Sequence, residues 1–451
     1  MPNSKYTGLF LLIALCLPVA IACLDIMAVS VALNPIMTQF SASISATQWL
    51  ISAYTIGTAS FLILVGKLAD LYGRRKLLLC GIFLFGLASV MAATAPAMFI
   101  LILARFLQGV ASSMMMTTVV SIIVHHFEQE ERTHVLSKWA LSLGVGMSLG
   151  PLVGGIILHF ASWPCIFVVN IPVCLAAYYL AIKYIPESKD LSGKIKIRWG
   201  EAALLSLVLI LLVLIFSEGE SLGWRSHLMF GFIFSFLAAV CLYGLLLRYR
   251  GSVFVDLSLF KLKNYFEGAA CGFLSYFCMY AWLFIFGLYL QKDCGMSPLQ
   301  TGMMFISYSA TSALCSHFIS KIIKKWGRKI PVQLGFGTAL IALLWMSRIT
   351  PLTPIWQLLI MSAMLGMMLT FVNVPSMNLA MSGIPSEKTG IASGTVFTIR
   401  WLGGSIGVAI ITVIFQMSER FGTLTPMRYA CFGMAFFAAI GLLFGSLMKP
   451  K

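Results

Sequence analysis

Long apolar runs, each about 17–25 residues and separated by short polar stretches, restrict the folds open to this chain more than any other feature. They lie at 9–33, 47–66, 77–95, 97–119, 135–158, 162–185, 200–217, 228–247, 266–290, 299–320, 331–348, 354–379, 391–417 and 427–448. Each matches the length a helix needs to cross about 30 Å of hydrocarbon. Backbone amides in hydrocarbon must find partners inside the protein, so only helices and closed barrels can span it. Barrel strands would alternate with period two over about ten residues, and these runs do not. The expected fold class is an all-α polytopic membrane protein with fourteen transmembrane helices. No small-residue cleavage pattern follows the first run, which continues from Leu9 to Leu33 and reads as an uncleaved span.

Charge follows the same plan. The net charge of +16 would suit a nucleic-acid binder, but its distribution argues against one. An even number of spans puts both termini on one side. The loops of that side hold 24 of the 31 Lys and Arg residues, and the opposite loops hold only Arg225, Lys292, Arg348, Arg420 and Arg428. By the positive-inside rule the rich side is cytoplasmic. The expectation is an integral protein of a plasma membrane, such as a bacterial inner membrane, with both termini in the cytoplasm and no nucleic-acid partner. The eleven cysteines are scattered, with no Cys-x-x-Cys pair and no histidine cluster, so neither a disulfide framework nor a metal site is indicated. Cys294, in a predicted external loop, is the thiol most open to reagents. With no nucleophile, metal or phosphate-binding motif, the chain is not expected to be an enzyme or to carry a cofactor.

One polar stretch is repeated. Gly66-Lys-Leu-Ala-Asp-Leu-Tyr-Gly-Arg-Arg-Lys76 lies between the second and third runs, and Ser320-Lys-Ile-Ile-Lys-Lys-Trp-Gly-Arg-Lys329 lies 254 residues downstream. Lys67 matches Lys321, Gly73 matches Gly327, and Arg74-Arg75 matches Arg328-Lys329. Repetition at that period implies two homologous membrane halves, an arrangement typical of transporters. The halves are expected at 1–185 and 266–451, with two inserted spans and basic linkers at 186–265.

The first turn resembles the loop between spans 2 and 3 of the major facilitator superfamily. That resemblance assigns Gly66, Asp70, Gly73, Arg74 and Arg75 to gating, with the acid locking the outward-facing state. Leu71 departs from the family's usual arginine, and Lys324 takes the place of Asp70 in the second copy. Leu103-Ala-Arg-Phe-Leu-Gln-Gly-Val-Ala-Ser112 resembles the family's span-4 motif, in which the arginine takes part in proton transfer. Gly146-Met-Ser-Leu-Gly150-Pro151-Leu-Val-Gly154-Gly155 resembles the motif of exporters in the superfamily. Small residues four apart also allow close helix approach, and Pro151 bends its span. Leu24-Asp25 and Trp163 to Pro172, together with the run count, resemble the fourteen-span drug:proton antiporter family. Met27, Ser30, Pro35 and Pro164-Cys165 depart from its pattern, so substrate preference can differ. The resemblance implies a proton-coupled exporter of small amphipathic compounds or drugs. Alternatives are an exporter dedicated to one metabolite, such as a siderophore, and a membrane sensor that transports nothing. Protons, a small-molecule substrate and the lipid bilayer are the expected partners; the sequence names no periplasmic adaptor.

Three residues are ionisable deep inside spans: Asp25, Arg105 and Arg400. An intramembrane charge is a functional residue by default. Asp25 and Arg105 each lie eight residues from the outer end of their runs, about 12 Å below the external surface, so a pair is expected. It can be a static salt bridge, or a proton site whose affinity depends on whether Arg105 is engaged. Arg400 has no acid at its depth; it can meet Asn373 or Asn378, an anionic substrate group, or solvent in a cavity. Phe273, Tyr276, Phe277, Tyr280 and Phe284 share one helix face, which suits either aromatic ligands or helix packing. Gln108, Tyr276, Tyr280, Asn373 and Arg400 are the substrate-cavity candidates.

Overall fold

The computed structural model describes residues 4–188, 199–219, 222–250, 257–384, 389–418 and 425–448. Among them every regular element is helical. The helices are α1 (Ser4–Gln39), α2 (Ile44–Tyr72), α3 (Arg74–Ala93), α4 (Met98–His126), α5 (Gln129–Phe160), α6 (Pro164–Val168), α7 (Asn170–Tyr184), α8 (Trp199–Glu218), α9 (His227–Arg250), α10 (Lys263–Lys292), α11 (Pro298–Trp326), α12 (Lys329–Met346), α13 (Ile355–Met381), α14 (Thr389–Ser418) and α15 (Thr425–Leu447). Twelve are long and apolar enough to cross a membrane. α2 and α11 are as long and carry several hydroxyl side chains. In α2 those hydroxyls are spent within the bundle: Thr55 Oγ1 donates to the Ile51 carbonyl at 3.1 Å and Thr58 Oγ1 to the Tyr54 carbonyl at 2.9 Å.

The element boundaries depart from the apolar runs in two instructive places. α1 continues six residues beyond Leu33 to Gln39, with Pro35 inside it. The run at 162–185 is broken at Val169 into α6 and α7. Pro172 explains the break, because it has no N–H to donate to the Val168 carbonyl four residues earlier.

The helices pack in two sets that share a plan. In the first, α1 lies on α5 and α2 on α4; in the second, α10 lies on α14 and α11 on α13. The pairs repeat even in their glycines. A side chain at Gly109 of α4 would strike the Tyr54 carbonyl of α2, and one at Gly366 of α13 would strike the Tyr308 carbonyl of α11. Gly146 and Gly150 approach the carbonyls of Ala20 and Leu24, while Gly403 and Gly407 approach those of Phe273 and Phe277. Both basic turns join their helices through a glycine at positive φ, Gly73 at 110° and Gly327 at 73°, a region that L side chains rarely adopt.

Two regions join the sets: α5 packs on α11, and α2 packs on α14. α8 lies beside the second of these seams, touching both α2 and α14, with Ser206 Oγ donating to the Ser60 carbonyl at 3.0 Å. Trp49 of α2 also hydrogen-bonds Glu218 at the end of α8. α9 packs mainly on α8 and exposes Leu228, Phe230, Phe234, Leu237 and Leu245. A helix apolar all round with so little protein cover is suited to lipid.

Candidate functional site

The most heavily bonded polar cluster among the described residues lies buried inside the first set. Asp25 of α1 and Arg105 and Gln108 of α4 are fully buried, as are Asn170 of α7 and Ser89 of α3. Arg105 Nη1 pairs with Asp25 Oδ2. Asp25 Oδ1 accepts from Asn170 Nδ2 at 2.6 Å and more weakly from Gln108 Nε2 at 3.4 Å. Gln108 Oε1 accepts from Arg105 Nη1 at 2.7 Å, and its amide donates to Ser89 Oγ at 2.9 Å. Arg105 Nε reaches the Leu50 carbonyl of α2 at 3.0 Å, and the guanidinium lies 4.6 Å from the Tyr54 ring centroid. Arg105 Nη2 has no partner.

Local sequence explains why these side chains converge. Arg105 and Gln108, three apart on α4, share one helix face. Asn170, the first residue of α7, lies at the level of Asp25 and donates to its carboxylate. The carboxylate is surrounded by donors only, so its two oxygens are engaged while it is ionised. A proton there would remove the charge that holds Arg105, whose Nη2 already lacks an acceptor. The arrangement can therefore trade a proton on Asp25 for its contact with the guanidinium. Sequence reasoning placed Asp25 and Arg105 together and put Gln108 on a substrate path; the structure buries Gln108 within the ion-pair network. It missed Asn170 and Ser89. For Asn170 the available signal was an amide inside an otherwise apolar run.

The glycine motif of α5 is built for contact on two sides. Gly146, Gly150 and Gly154 form one face toward α1. A Cβ at Gly150 would overlap the Cβ of Met27, two residues from Asp25, and one at Gly154 would come within 2.7 Å of the Ala28 carbonyl. Gly155 instead faces α11, where a Cβ would lie 3.0 Å from Leu299 Cα, and Gly302 of α11 closes on the Pro151 carbonyl. The motif therefore sets both the α1 position and one seam between the sets.

Contacts across the seams gather toward the end where α1 meets α2. Ser45 Oγ donates to Gln416 Oε1 at 3.0 Å, and Gln291 Nε2 donates to the Val31 carbonyl at 2.8 Å. Deeper along the same seam Ser405 Oγ reaches the Ser52 carbonyl at 3.4 Å, and Tyr54 meets Trp401 at 6.2 Å between centroids. That end is sealed. Tyr276 and Tyr280 of α10 complete an aromatic cluster on Trp401, at 6.0 and 5.8 Å. The aromatic face of α10 is thus divided: Phe277 packs on Phe437 at 4.0 Å, while the two tyrosines face the seam. Arg400 Nη2 donates to the Asn373 carbonyl and to Ser376 Oγ, each at 3.0 Å. Asn373 Oδ1 accepts from Ser275 Oγ at 3.1 Å.

At the opposite end the α2–α3 turn is tied down by an acid that sequence reasoning did not single out. Glu187, just beyond α7, accepts from the backbone N–H of Arg75 at 3.0 Å and of Lys76 at 3.1 Å. It caps α3 at the positive end of the helix dipole. A Cβ at Gly73 would lie 2.8 Å from the Glu187 carboxylate, so the residue must be small as well as left-handed. Arg74 is buried; its N–H donates to the Ser188 carbonyl at 2.9 Å, and its Nη2 lies 3.0 Å from His125 Nε2. His125 Nδ1 is 3.1 Å from the Ser121 carbonyl, which makes Nδ1 the donor and Nε2 the acceptor for Arg74. Gly66 packs against Thr117 of α4. The Asp70 side chain lies outside the described residues.

The comparisons agree with this architecture. The family model described as "Major Facilitator Superfamily" matches residues 15–408. The chain is 28% identical over 413 residues to the multidrug resistance protein Stp of Mycobacterium tuberculosis, covering 90% of this chain and 75% of that one. It is 27% identical over 441 residues to the methylenomycin A resistance protein of Bacillus subtilis, covering 96% and 93%. A solved structure of a POT family transporter aligns with a TM-score of 0.71 at 13% identity, covering 97% of this chain and 96% of that one. A bacterial homologue of the human lysosomal transporter Spinster aligns with a TM-score of 0.68 at 14% identity, covering 99% and 97%. With the paired helix sets, the membrane-length helices and a family match over most of its length, the chain is an integral membrane transporter and belongs to the Major Facilitator Superfamily.

Proposed function

We propose that this protein is a proton-coupled antiporter that exports small amphipathic compounds across a plasma membrane. The buried Asp25–Arg105 pair carries this reading, because it is a fully buried ion pair whose other hydrogen-bond partners are neutral. Protonation of Asp25 would free Arg105, and the freed cation would have to find another acceptor or a changed helix packing. Met27 and Ala28, immediately after Asp25, lie against Gly150 and Gly154, so such a change would pass to α5 and its seam with α11. The segments 1–185 and 266–451 are taken as the moving units, with α2 and α11 counted among fourteen spans and 186–265 as an inserted pair. Orientation follows from loop charge: both termini are cytoplasmic, and the sealed end is external. Gly66, Asp70, Gly73, Arg74 and Arg75 serve as the cytoplasmic gate. Tyr276, Tyr280, Asn373 and Arg400 line the path of the cargo. The resistance functions in the names of similar proteins agree with export.

Proteoliposomes with an imposed pH gradient test the coupling. Wild type should drive efflux of fluorescent amphipathic dyes, and Asp25→Asn should fall to the rate of empty liposomes. Gradient-driven flux retained in Asp25→Asn would remove Asp25 from the role of proton carrier. A second reading, export of one dedicated metabolite, is favoured by Arg400, a buried cation that a broad collection of neutral or cationic drugs would not need. Overexpression that protects against no drug in a panel would select it.

A further inference from the structure

Arg400 is a charge without a counter-ion. It sits eleven residues into α14, about 16 Å from the helix start, and is 4% exposed. Its two hydrogen-bond acceptors, the Asn373 carbonyl and Ser376 Oγ, are both neutral, and its Nε has no partner. Among the described residues no carboxylate lies within ion-pair distance of it. Glu267 of α10, one turn before Cys271, pairs instead with Lys263 at 3.7 Å. A buried cation with only neutral partners is costly, yet the fold makes room for this one. At Gly272 of α10 a Cβ would come within 2.6 Å of Arg400 Nε.

The surroundings are equally unspent. Trp401, the next residue, presents its ring to Tyr54, Tyr276 and Tyr280. Arg400 is within electrostatic reach of Tyr276. The hydroxyl of Tyr280 is buried without a hydrogen-bond partner, as is that of Thr398. A buried cation thus lies next in sequence to a tryptophan whose aromatic cluster spans the seam between the two helix sets. Seams of this kind are where ligand sites form in transporters built from repeats. The depth of Arg400 in α14 keeps it away from lipid headgroups, so the anion must be a small molecule that enters the protein.

We propose that Arg400, Tyr280 and the rings of Tyr276 and Trp401 form a subsite for small aromatic carboxylates. The guanidinium takes the carboxylate, and the rings of the aromatic cluster stack on the planar body of the ligand. This deepens the export reading, on which it rests, by naming a class of cargo.

Equilibrium binding to the purified full-length protein tests it, with 2-naphthoate and its neutral isostere 2-naphthamide followed by titration calorimetry. Wild type should bind the naphthoate at least tenfold more tightly. Arg400→Gln should erase that preference while leaving the naphthamide affinity within about twofold, a difference of roughly 0.4 kcal/mol. Arg400→Lys should retain part of the preference, and Trp401→Leu should weaken both ligands alike. Wild type showing no preference for naphthoate overturns the proposal whether or not any variant folds. A tenfold preference surviving in a monodisperse Arg400→Gln overturns it too. Binding needs no gradient, so the two readings fail separately. Proton-driven dye flux without a carboxylate preference defeats the subsite alone. An Arg400-dependent preference in a protein with no gradient-driven flux supports the subsite and defeats the coupling.

Discussion

Asp25 and Arg105 show how much a single residue can depend on distant neighbours. Their oxygens and nitrogens are engaged by side chains from α4 and α7 and by a carbonyl from α2. Removing one member of a buried pair leaves the other charge uncompensated, which costs about 3–5 kcal/mol. Arg105→Gln should therefore lower the thermal stability of the purified protein strongly at neutral pH. The double variant Asp25→Asn/Arg105→Gln should recover most of that loss, because both charges are gone; a double variant as unstable as the single one would show that the pair does not behave as a unit. The pair was legible in the sequence because two charges in apolar runs had equal depth. Asn170 and Ser89 were not, since an amide or hydroxyl inside a span is common and its orientation depends on where the α6–α7 break falls.

At the scale of elements, packing distance rather than hydropathy decides what each helix does. On α5, Gly144 has nothing within 4 Å of its would-be Cβ, whereas Gly150 would overlap Met27. Gly144→Ala should be neutral or slightly stabilising, as expected for a helix glycine. Gly150→Ala should destabilise by about 1–3 kcal/mol through overpacking, read as a lower melting temperature of the purified protein and reduced flux. Equal effects of the two changes would detach the motif from the α1–α5 contact. The regular spacing of the motif made a close helix approach readable from the sequence. That Gly155 serves a different partner, α11, was not readable, because a one-residue step turns about 100° around the helix to a face whose neighbour is set by the assembled bundle. The α2–α3 turn makes the same point: its glycine and its cations stood out, but its cap, Glu187, comes from more than 100 residues away.

Across the whole molecule, the shared plan of the two helix sets carries an asymmetric distribution of charge. By the glycine correspondences above, Asp25 aligns with Cys278 and Arg105 with Ser362, both buried. One set holds an ion pair with both members fully buried and the other a buried Arg400 bonded to neutral acceptors, so the two have diverged in chemistry while keeping their packing. Rigid movement of one set against the other requires the sealed end to open. A disulfide between Ser45→Cys and Gln416→Cys, whose native side chains are hydrogen-bonded at 3.0 Å, should halt transport in proteoliposomes when oxidised and release it when reduced. Flux that continues with the cross-link fully formed would separate transport from opening at this end. Orientation can be read from Cys294, between α10 and α11 at the sealed end. Burial pushes its thiol above the ordinary cysteine value, opposed in part by its contact with Tyr289. Maleimides react with the thiolate, so an impermeant maleimide added outside intact cells should label Cys294 slowly at neutral pH and faster as pH rises. Labelling of Cys294 only after lysis would reverse the assigned orientation.

Local composition was enough to determine the solvent this protein folds in, its helical class, the repetition of its halves and the rarity of its buried charges. Each follows from a short-range property: the length of an apolar run, the sign of a loop, the spacing of glycines. Tertiary structure alone decided which polar groups meet. Hydropathy records whether a side chain tolerates hydrocarbon but not which way it faces, and helix rotation and crossing emerge only when all the helices pack together. For that reason Gln108 joined the ion pair, Arg400 was left among neutral oxygens beside an aromatic cluster, and Glu187 became the cap of α3.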